Sequence, residues 1–513
     1  MAIKTFAAID VGSFEMAMKI FEISGKTGMK EIDHIRHRLA LGTDSYSTRK
    51  ISYDKMEELC RVLREFQEIM AGYHVNAYQA YGTSAIRETE NTTIILDQIR
   101  NRTGINLEVL SNSEQRFLDY KSIASQGEMF HKIIEKGTAI VDIGGGNIQL
   151  SLFDEQSLVT TQNLKLGVLR IHERIVAMQP RVDQIGGILD EIINSQLRVF
   201  EKMYMQDRQI TNLIIMDDYV SGKMKEAVEN VSKEGTVLAE DFVAFTQSLM
   251  MRSPEEIAEK LAIPEENVDL LSISSNIITR IVSLMKAKVI WAPGVTLCDG
   301  IAYEYAEKRR MKIIAHDFEE DILACAGNIS HRYQGNKVRS EMMEEIALAV
   351  FDNMKEYHGM GKRERLLLRL AAILHDCGKF INMTNVGECS YHIVMNTEII
   401  GISHLEREMV AYVVRFIYDS FVYYDEISAS AIMDRSSYLI IAKLTAILRI
   451  ANALDKSQKQ KFRKLKAQVK EQQLLLTVDA AQNIILEREQ FRLQADFFEE
   501  VYCIQPVIVP KKM

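Results

Sequence analysis

The chain has no cysteine framework. Its six cysteines, Cys60, Cys298, Cys325, Cys377, Cys389 and Cys503, form no CxxC pair, which argues against a disulfide-stapled secreted scaffold and for reduced core thiols in a cytoplasmic protein. No basic-then-apolar signal segment is expected at the start, because Asp10 and Glu15 interrupt it. Prolines number only six and no low-complexity linker divides the chain, so domains packed together are expected, not tethered ones. The most apolar late stretch, Tyr438–Leu454, carries Lys443 and Arg449 at helical spacing and reads as a core helix, with no membrane partner implied. Positive charge is not in excess either: 62 Lys and Arg against 71 Asp and Glu give a net charge of −9, which argues against wholesale nucleic-acid binding but leaves room for a local basic channel. What is present is 513 residues at 47% hydrophobic content, ample core for three or four domains.

The stretch Thr138-Ala139-Ile140-Val141-Asp142-Ile143-Gly144-Gly145-Gly146-Asn147 combines a β-branched run, a carboxylate at its end and three glycines that bare backbone N–H groups. That is a phosphate cradle beside an acid able to hold a metal or water. Ile148, Leu150 and Leu152 then alternate with Gln149, Ser151 and Phe153, so a strand returns and the element is a hairpin. A dinucleotide fold or P-loop would start a helix there, and the P-loop Lys-Ser/Thr pair is absent. Phe6-Ala7-Ala8-Ile9-Asp10-Val11-Gly12-Ser13 repeats the pattern. Either these are two unrelated Asp-Gly turns, or an internal duplication sets Asp10 and Asp142 at matching places to pinch a phosphate between two lobes.

With Tyr81-Gly82-Thr83-Ser84-Ala85-Ile86-Arg87-Glu88, Asn91, Leu110-Ser111-Asn112-Ser113-Glu114 and Leu166-Gly167-Val168-Leu169-Arg170 added, the chain resembles the exopolyphosphatase / guanosine pentaphosphate phosphatase (Ppx/GppA) family. The resemblance runs over nearly the whole length. It implies an α/β fold: two actin-like (ribonuclease H-like, ASKHA) lobes at 1–125 and 126–312, then an all-α HD-like domain at 315–460 and a small α+β C-terminal domain at 461–513. It further implies a cytoplasmic homodimer that releases terminal phosphate from inorganic polyphosphate or guanosine pentaphosphate with Mg²⁺. Glu114 falls on the family position that activates the attacking water. Asp142 and Asp10 would hold the metal, and Gly12, Ser13, Arg87, Gly144, Gly145, Gly146 and Asn147 would bind phosphate.

Departures from the family pattern keep a second class open, a degenerate member that binds polyphosphate or an alarmone as a sensor. Gln149 stands in place of an acid, Gln115 in place of a second acid, Asn112 in place of glycine, and Phe14-Glu15 in place of Asn-Ser/Thr. Gln149 and Glu15 are therefore candidates for tuning the metal from one step away. Asp217-Asp218 would repel a nucleotide phosphate and argue against an ATP-dependent kinase of the same fold. In the helical half, His375-Asp376 resembles the centre of the HD metal phosphohydrolase signature. Arg339 and Cys389, however, stand where two further His ligands would be, and a guanidinium cannot ligate a divalent metal; a structural domain is expected. The charged run Lys308–Lys312 reads as a solvated boundary, and alternating runs at Leu474–Val478 and Asn483–Leu486 read as paired strands.

Overall fold

The structure, a computed structural model, describes residues 4–25, 28–205, 208–217, 219–220, 228, 231–232, 234–309, 311, 316–427, 433–480 and 483–510. Two compact units divide the chain, Met1–His316 and Asp317–Met513. The first holds two sheets built on one plan.

Strands β1 (Lys4–Val11), β2 (Glu15–Ser24) and β3 (Gly28–Arg38) form an antiparallel meander, and β4 (Ala77–Gly82) and β5 (Leu107–Val109) add in parallel, in the order β3-β2-β1-β4-β5. In the second sheet β6 (Thr138–Ile143), β7 (Ile148–Asp154) and β8 (Ser157–Leu164) repeat the meander. There β9 (Asn212–Asp217) lies parallel to β6, β11 (Val289–Trp291) parallel to β9, and β10 (Thr236–Leu238) caps the edge. Five strands thus correspond one for one, which makes Asp10 and Asp142 equivalent. The turns agree as well: Gly12 N–H donates to Glu15 O at 3.0 Å and Gly144 N–H to Asn147 O at 3.0 Å. The paired Asp-Gly hairpins are a duplication.

Alternation decides what each face of β1 meets. Ala7, Ile9 and Val11 pack on the helix Tyr53–Gly72 through Leu59, Leu63 and Phe66, the apolar stripe expected of that helix. Ser52 sits at its N-cap but makes no side-chain cap bond. Phe6 and Ala8 face Leu297, Cys298, Ile301 and Ala302 of the helix Leu297–Lys308. That helix, assigned by sequence to the second lobe, packs on the first sheet and on the helix Asn112–Ala124. The reason is its Leu-Cys-x-x-Ile-Ala face, which completes the cover of β1. Asp10 shares the face of Phe6 and Ala8 by strand period.

Among its described residues unit two is helical between Phe318 and Leu454 and ends in a three-stranded sheet of order β12-β13-β14, with β12 (Phe462–Lys470), β13 (Gln473–Ala480) and β14 (Gln505–Pro510). Asn483–Leu486 is not a strand: the helix Ile485–Tyr502 starts there, and Gln505–Pro510 supplies the third strand. Among the described residues two helices are long and apolar enough to cross a membrane, Glu265–Met285 and Arg435–Leu454, and both are mostly buried, as core helices are. Cys60, Cys298, Cys325 and Cys377 are buried thiols, whereas Cys389 is half-buried and Cys503 exposed, so those last two are not core. In the run Lys308–Lys312, Lys308 pairs with Glu304 at 2.7 Å and Arg309 lies 4.1 Å from the Tyr305 ring centroid; Arg310 and Lys312 lie outside the described residues, as does Asp218.

Candidate active site

The two Asp-Gly turns face each other across the lobes of unit one. A Cβ on Gly145 would lie 2.4 Å from Ser13 Oγ, and one on Gly146 2.2 Å from Tyr46 Oη. Glycine leaves room at both places for the side-chain ends that the first lobe sends into the second lobe's turn. Gly167 closes the other side, where a Cβ would lie 2.1 Å from the Gly146 carbonyl carbon. The carbonyls of Gly144, Gly145 and Gly146 accept from the N–H groups of Val168, Arg170 and Gly167 at 3.1, 3.0 and 3.2 Å. In a trans peptide the N–H points opposite to its C=O, so the N–H groups of Gly145, Gly146 and Asn147 turn away from that helix start.

Oxygen atoms in and beside the cleft lack partners. Asp10 Oδ1, Asn147 Oδ1 and Asn112 Oδ1 are buried with no hydrogen bond, a costly arrangement unless a ligand fills it. Burial, then the charges of Glu15 and Asp142, pushes the Asp10 carboxyl up to about 8. Burial also raises Asp142, against a hydrogen bond with Asp119 and the nearby charge of Arg116. Asp217, which accepts from Ser274 Oγ at 2.6 Å, adds its own charge to the Asp142 neighbourhood.

These carboxylates fit a divalent cation of one kind. Among the described residues no group of three or more His, Cys, Asp or Glu is arranged to hold a metal, which disfavours an all-protein cage. Mg²⁺ typically takes one or two carboxylates and completes its shell with water and substrate oxygens, and the orphaned Asp10 oxygen beside Asp142 suits that role. Gln149 does not join it, because Arg116 Nε donates to Gln149 Oε1 at 2.9 Å. Glu15 accepts from Arg36 at 2.6 Å.

Glu114 opens the helix Asn112–Ala124 in a capping box: Ser111 N–H donates to its Oε2 at 3.0 Å and Ser111 Oγ accepts from Glu114 N–H at 3.2 Å. One carboxylate oxygen is thereby committed to the helix start and its plane is fixed. Tyr81, the β4 neighbour of Asp10, is pushed up by burial and then by the charges of Glu304, Glu108 and Glu114. Arg87 donates to Leu110 O at 2.6 Å and to Gln115 Oε1 at 3.3 Å, so it ties the end of β5 to this helix.

Several residues that hold the site together carried no signal in the sequence. Arg116 is 3% exposed on a helix whose pattern gave no reason to bury it. Tyr46 bonds Ser84 Oγ at 2.8 Å. Arg170, within a block the resemblance did pick out, donates to Gly146 O at 2.8 Å, pairs with Glu88 at 2.5 Å and lies 4.4 Å from the Tyr46 ring centroid, stitching the lobes beside the turn. A cavity of about 630 Å³ adjoins the Asp10 turn, lined among others by Phe14, Glu15, Arg36, Arg38, Asp217 and Tyr219. The Phe14 and Tyr219 rings are 5.1 Å apart and Arg38 lies 5.0 Å from the Phe14 centroid.

In unit two, His375 Nδ1 lies 2.8 Å from Ala372 O, Lys379 pairs with Asp376 at 3.2 Å, and the buried Arg339 donates from Nη2 to Asn452 Oδ1 at 2.6 Å. A guanidinium and an ammonium stand among the groups that a metal would need.

Known proteins bear on this geometry. A guanosine-5'-triphosphate,3'-diphosphate pyrophosphatase of Photobacterium profundum is 21% identical over 504 residues, 93% of this chain and 92% of its own length. One from Vibrio vulnificus is 22% identical over 430 residues, 80% of each chain. An exopolyphosphatase from Cytophaga hutchinsonii, of known structure, shares the fold over 60% of this chain and 98% of its own, with a TM-score of 0.52 at 18% identity. The Ppx/GppA phosphatase family profile matches residues 20–308 and that of Ppx/GppA phosphatase domain III residues 324–496: the chain belongs to the Ppx/GppA phosphatase family.

Proposed function

We propose that the chain hydrolyses the terminal phosphoanhydride bond of guanosine pentaphosphate or inorganic polyphosphate. The observation that carries this reading is the pair of Asp-Gly turns meeting as Ser13 against Gly145, with buried, partnerless Asp10 Oδ1 and Asn147 Oδ1 between the lobes. Backbone N–H groups of the second turn bind the terminal phosphoryl oxygens. Asp10 and Asp142 would hold Mg²⁺, which neutralises charge developing on those oxygens. Glu114 orients a water through the oxygen not used in capping; the water oxygen attacks the terminal phosphorus, its proton passes to the Glu114 carboxylate, and the bridging P–O bond breaks with its electron pair on the oxygen that stays with the shortened chain or nucleotide, the attacked phosphoryl leaving as phosphate.

The family's cytoplasmic setting and a homodimer remain part of this proposal. A second reading is a binder with little turnover, favoured by one observation: the Glu114 carboxylate already caps its own helix. Phosphate release from guanosine pentaphosphate and from polyphosphate, wild type against Glu114→Gln, separates them. The hydrolase reading expects a fall of about 10²–10⁴-fold with binding retained; near-equal rates would remove Glu114 as base, and a wild type that binds without releasing phosphate would establish the binder.

A further inference from the structure

Asp142 and Gln149 are direct partners across β6 and β7, so their side chains stand together on one face. A carboxylate at position 149 would join Asp142 in recruiting a divalent cation. Here the amide oxygen instead accepts from Arg116 Nε at 2.9 Å, and Arg116 Nη1 donates to Thr161 Oγ1 at 2.6 Å. Thr161 is held in turn by Ser151 Oγ at 3.0 Å. All four side chains are sealed from solvent. One helical turn beyond Arg116 comes Asp119, which shares a hydrogen bond with Asp142. A second cation on Gln149 would sit against a fixed guanidinium, which cannot lose its proton.

The matching position in the first hairpin makes the device specific. Asp10 pairs across the strands with Ala17, which offers neither an amide nor a place to anchor an arginine. Burying a guanidinium is costly unless it is paired, and a buried charge is felt over a longer range than an exposed one. Its placement behind Asp142 therefore has a consequence for any anion entering the cleft.

We propose that Arg116, locked onto Gln149 and Thr161 beside Asp142, is a resident counter-charge that stands in for a metal at position 149, so that the cleft binds phosphoanhydride anions without a divalent cation. This rests on the reading of the cleft as a phosphoanhydride site. Arg116 acts through Asp142 and Gln149 and is a positioning residue. A divalent ion, which Asp10 and Asp142 would hold together with substrate oxygens, would then serve turnover and not binding.

Calorimetric titration with inorganic tripolyphosphate, in EDTA and in Mg²⁺, tests this on the intact chain, together with Mn²⁺ binding by paramagnetic resonance. Wild type is expected to bind in EDTA within about threefold of its affinity in Mg²⁺. Arg116→Ala with Gln149→Glu is expected to lose about tenfold or more in EDTA, to recover with Mg²⁺, and to bind Mn²⁺ about tenfold or more tightly than wild type does. Gln149→Glu alone, which keeps the pairing with Arg116, is expected to show no such tightening. Wild-type binding that needs Mg²⁺, or a folded double variant that binds Mn²⁺ no more tightly, overturns the inference alone. Absence of tripolyphosphate binding in both buffers overturns the phosphoanhydride reading with it. Should the double variant not fold, the EDTA comparison on wild type and the single variant still decides.

Discussion

The two copies of the Asp-Gly hairpin share a backbone and divide the work. Their turns close with the same hydrogen bond, yet Ser13, Phe14 and Glu15 in one stand where Gly145, Gly146 and Asn147 stand in the other. The first copy projects: Ser13 reaches toward Gly145, and Phe14 is buried in the apolar core of the second lobe with Val168, Leu169 and Tyr219. The second copy receives, and gives up side chains to do so. Electrostatics split the same way. Asp10 keeps a buried oxygen with no partner, whereas Asp142 has Asp119 and Arg116 beside it. Of the two equivalent carboxylates, one keeps an oxygen without a hydrogen bond and the other shares one with Asp119.

The largest test of that asymmetry is stability. Asp142→Ala strips the hydrogen bond with Asp119 and the charge near the buried Arg116, leaving buried polar groups unsatisfied, and stability is expected to fall by about 1–3 kcal/mol. Asp10→Asn removes a carboxyl that burial, Glu15 and Asp142 all disfavour in its charged form, so stability of the ligand-free protein is expected to hold or rise while phosphate release is lost. Urea melts of the two variants measure the difference; equal losses would break the comparison.

The turn glycines give an effect that is no larger. A Cβ on Gly12 would lie 2.7 Å from the Glu15 carbonyl oxygen, which is backbone and cannot swing aside, while one on Gly144 would meet only Asn147 O at 3.5 Å. Gly12→Ala is therefore expected to cost about 1–3 kcal/mol, whereas Gly144→Ala is expected within about 0.5 kcal/mol of wild type, helped by a less flexible unfolded chain. Melting temperatures of both would sharpen the division or, if the order reverses, refute it.

Much of this was legible in residue order because strand period and glycine position are local. Asp10, Asp142 and the glycines declared themselves by an apolar run ending in Asp-x-Gly, and the duplication followed. Glu114 was singled out for its family position, and its place in the capping box Ser111-x-x-Glu114 emerged only from the structure. What stayed hidden depends on partners far along the chain. Arg116 reads as a solvated helix arginine until Gln149 and Thr161 come beside it. The helix Leu297–Lys308 reads as the end of the second lobe until its apolar face meets Phe6 and Ala8. Arg87, expected on phosphate, also holds Leu110 O and Gln115 through Nη1, a bracing role that no local pattern announces. The strand Gln505–Pro510 was missed because Pro506 and Pro510 argue against a strand, and an edge position tolerates them.

The smallest effect is expected in the helical unit, where the logic of the Asp142 half recurs. His375 is fully buried, and with a carbonyl oxygen 2.8 Å from Nδ1 that nitrogen must carry the proton, leaving a neutral ring. Burial drives its imidazole well below the ordinary 6.5; Asp376 pulls it back up while Arg339 and Lys379 push it further down. A group depressed on folding contributes stability that is present above the unfolded value and lost as pH falls beneath it, because the unfolded chain takes up the proton that the folded one refuses. Wild type is therefore expected to lose stability on acidification below pH 6.5, and His375→Gln to flatten that slope. At neutral pH phosphate release by His375→Gln is expected within about twofold of wild type, since a residue that supports only the fold does not alter transition-state stabilisation. If groups already neutralised by a buried arginine are structural, both outcomes follow together. A large loss of release in folded His375→Gln, accompanied by loss of a bound transition metal, would instead mark unit two as a second reaction centre.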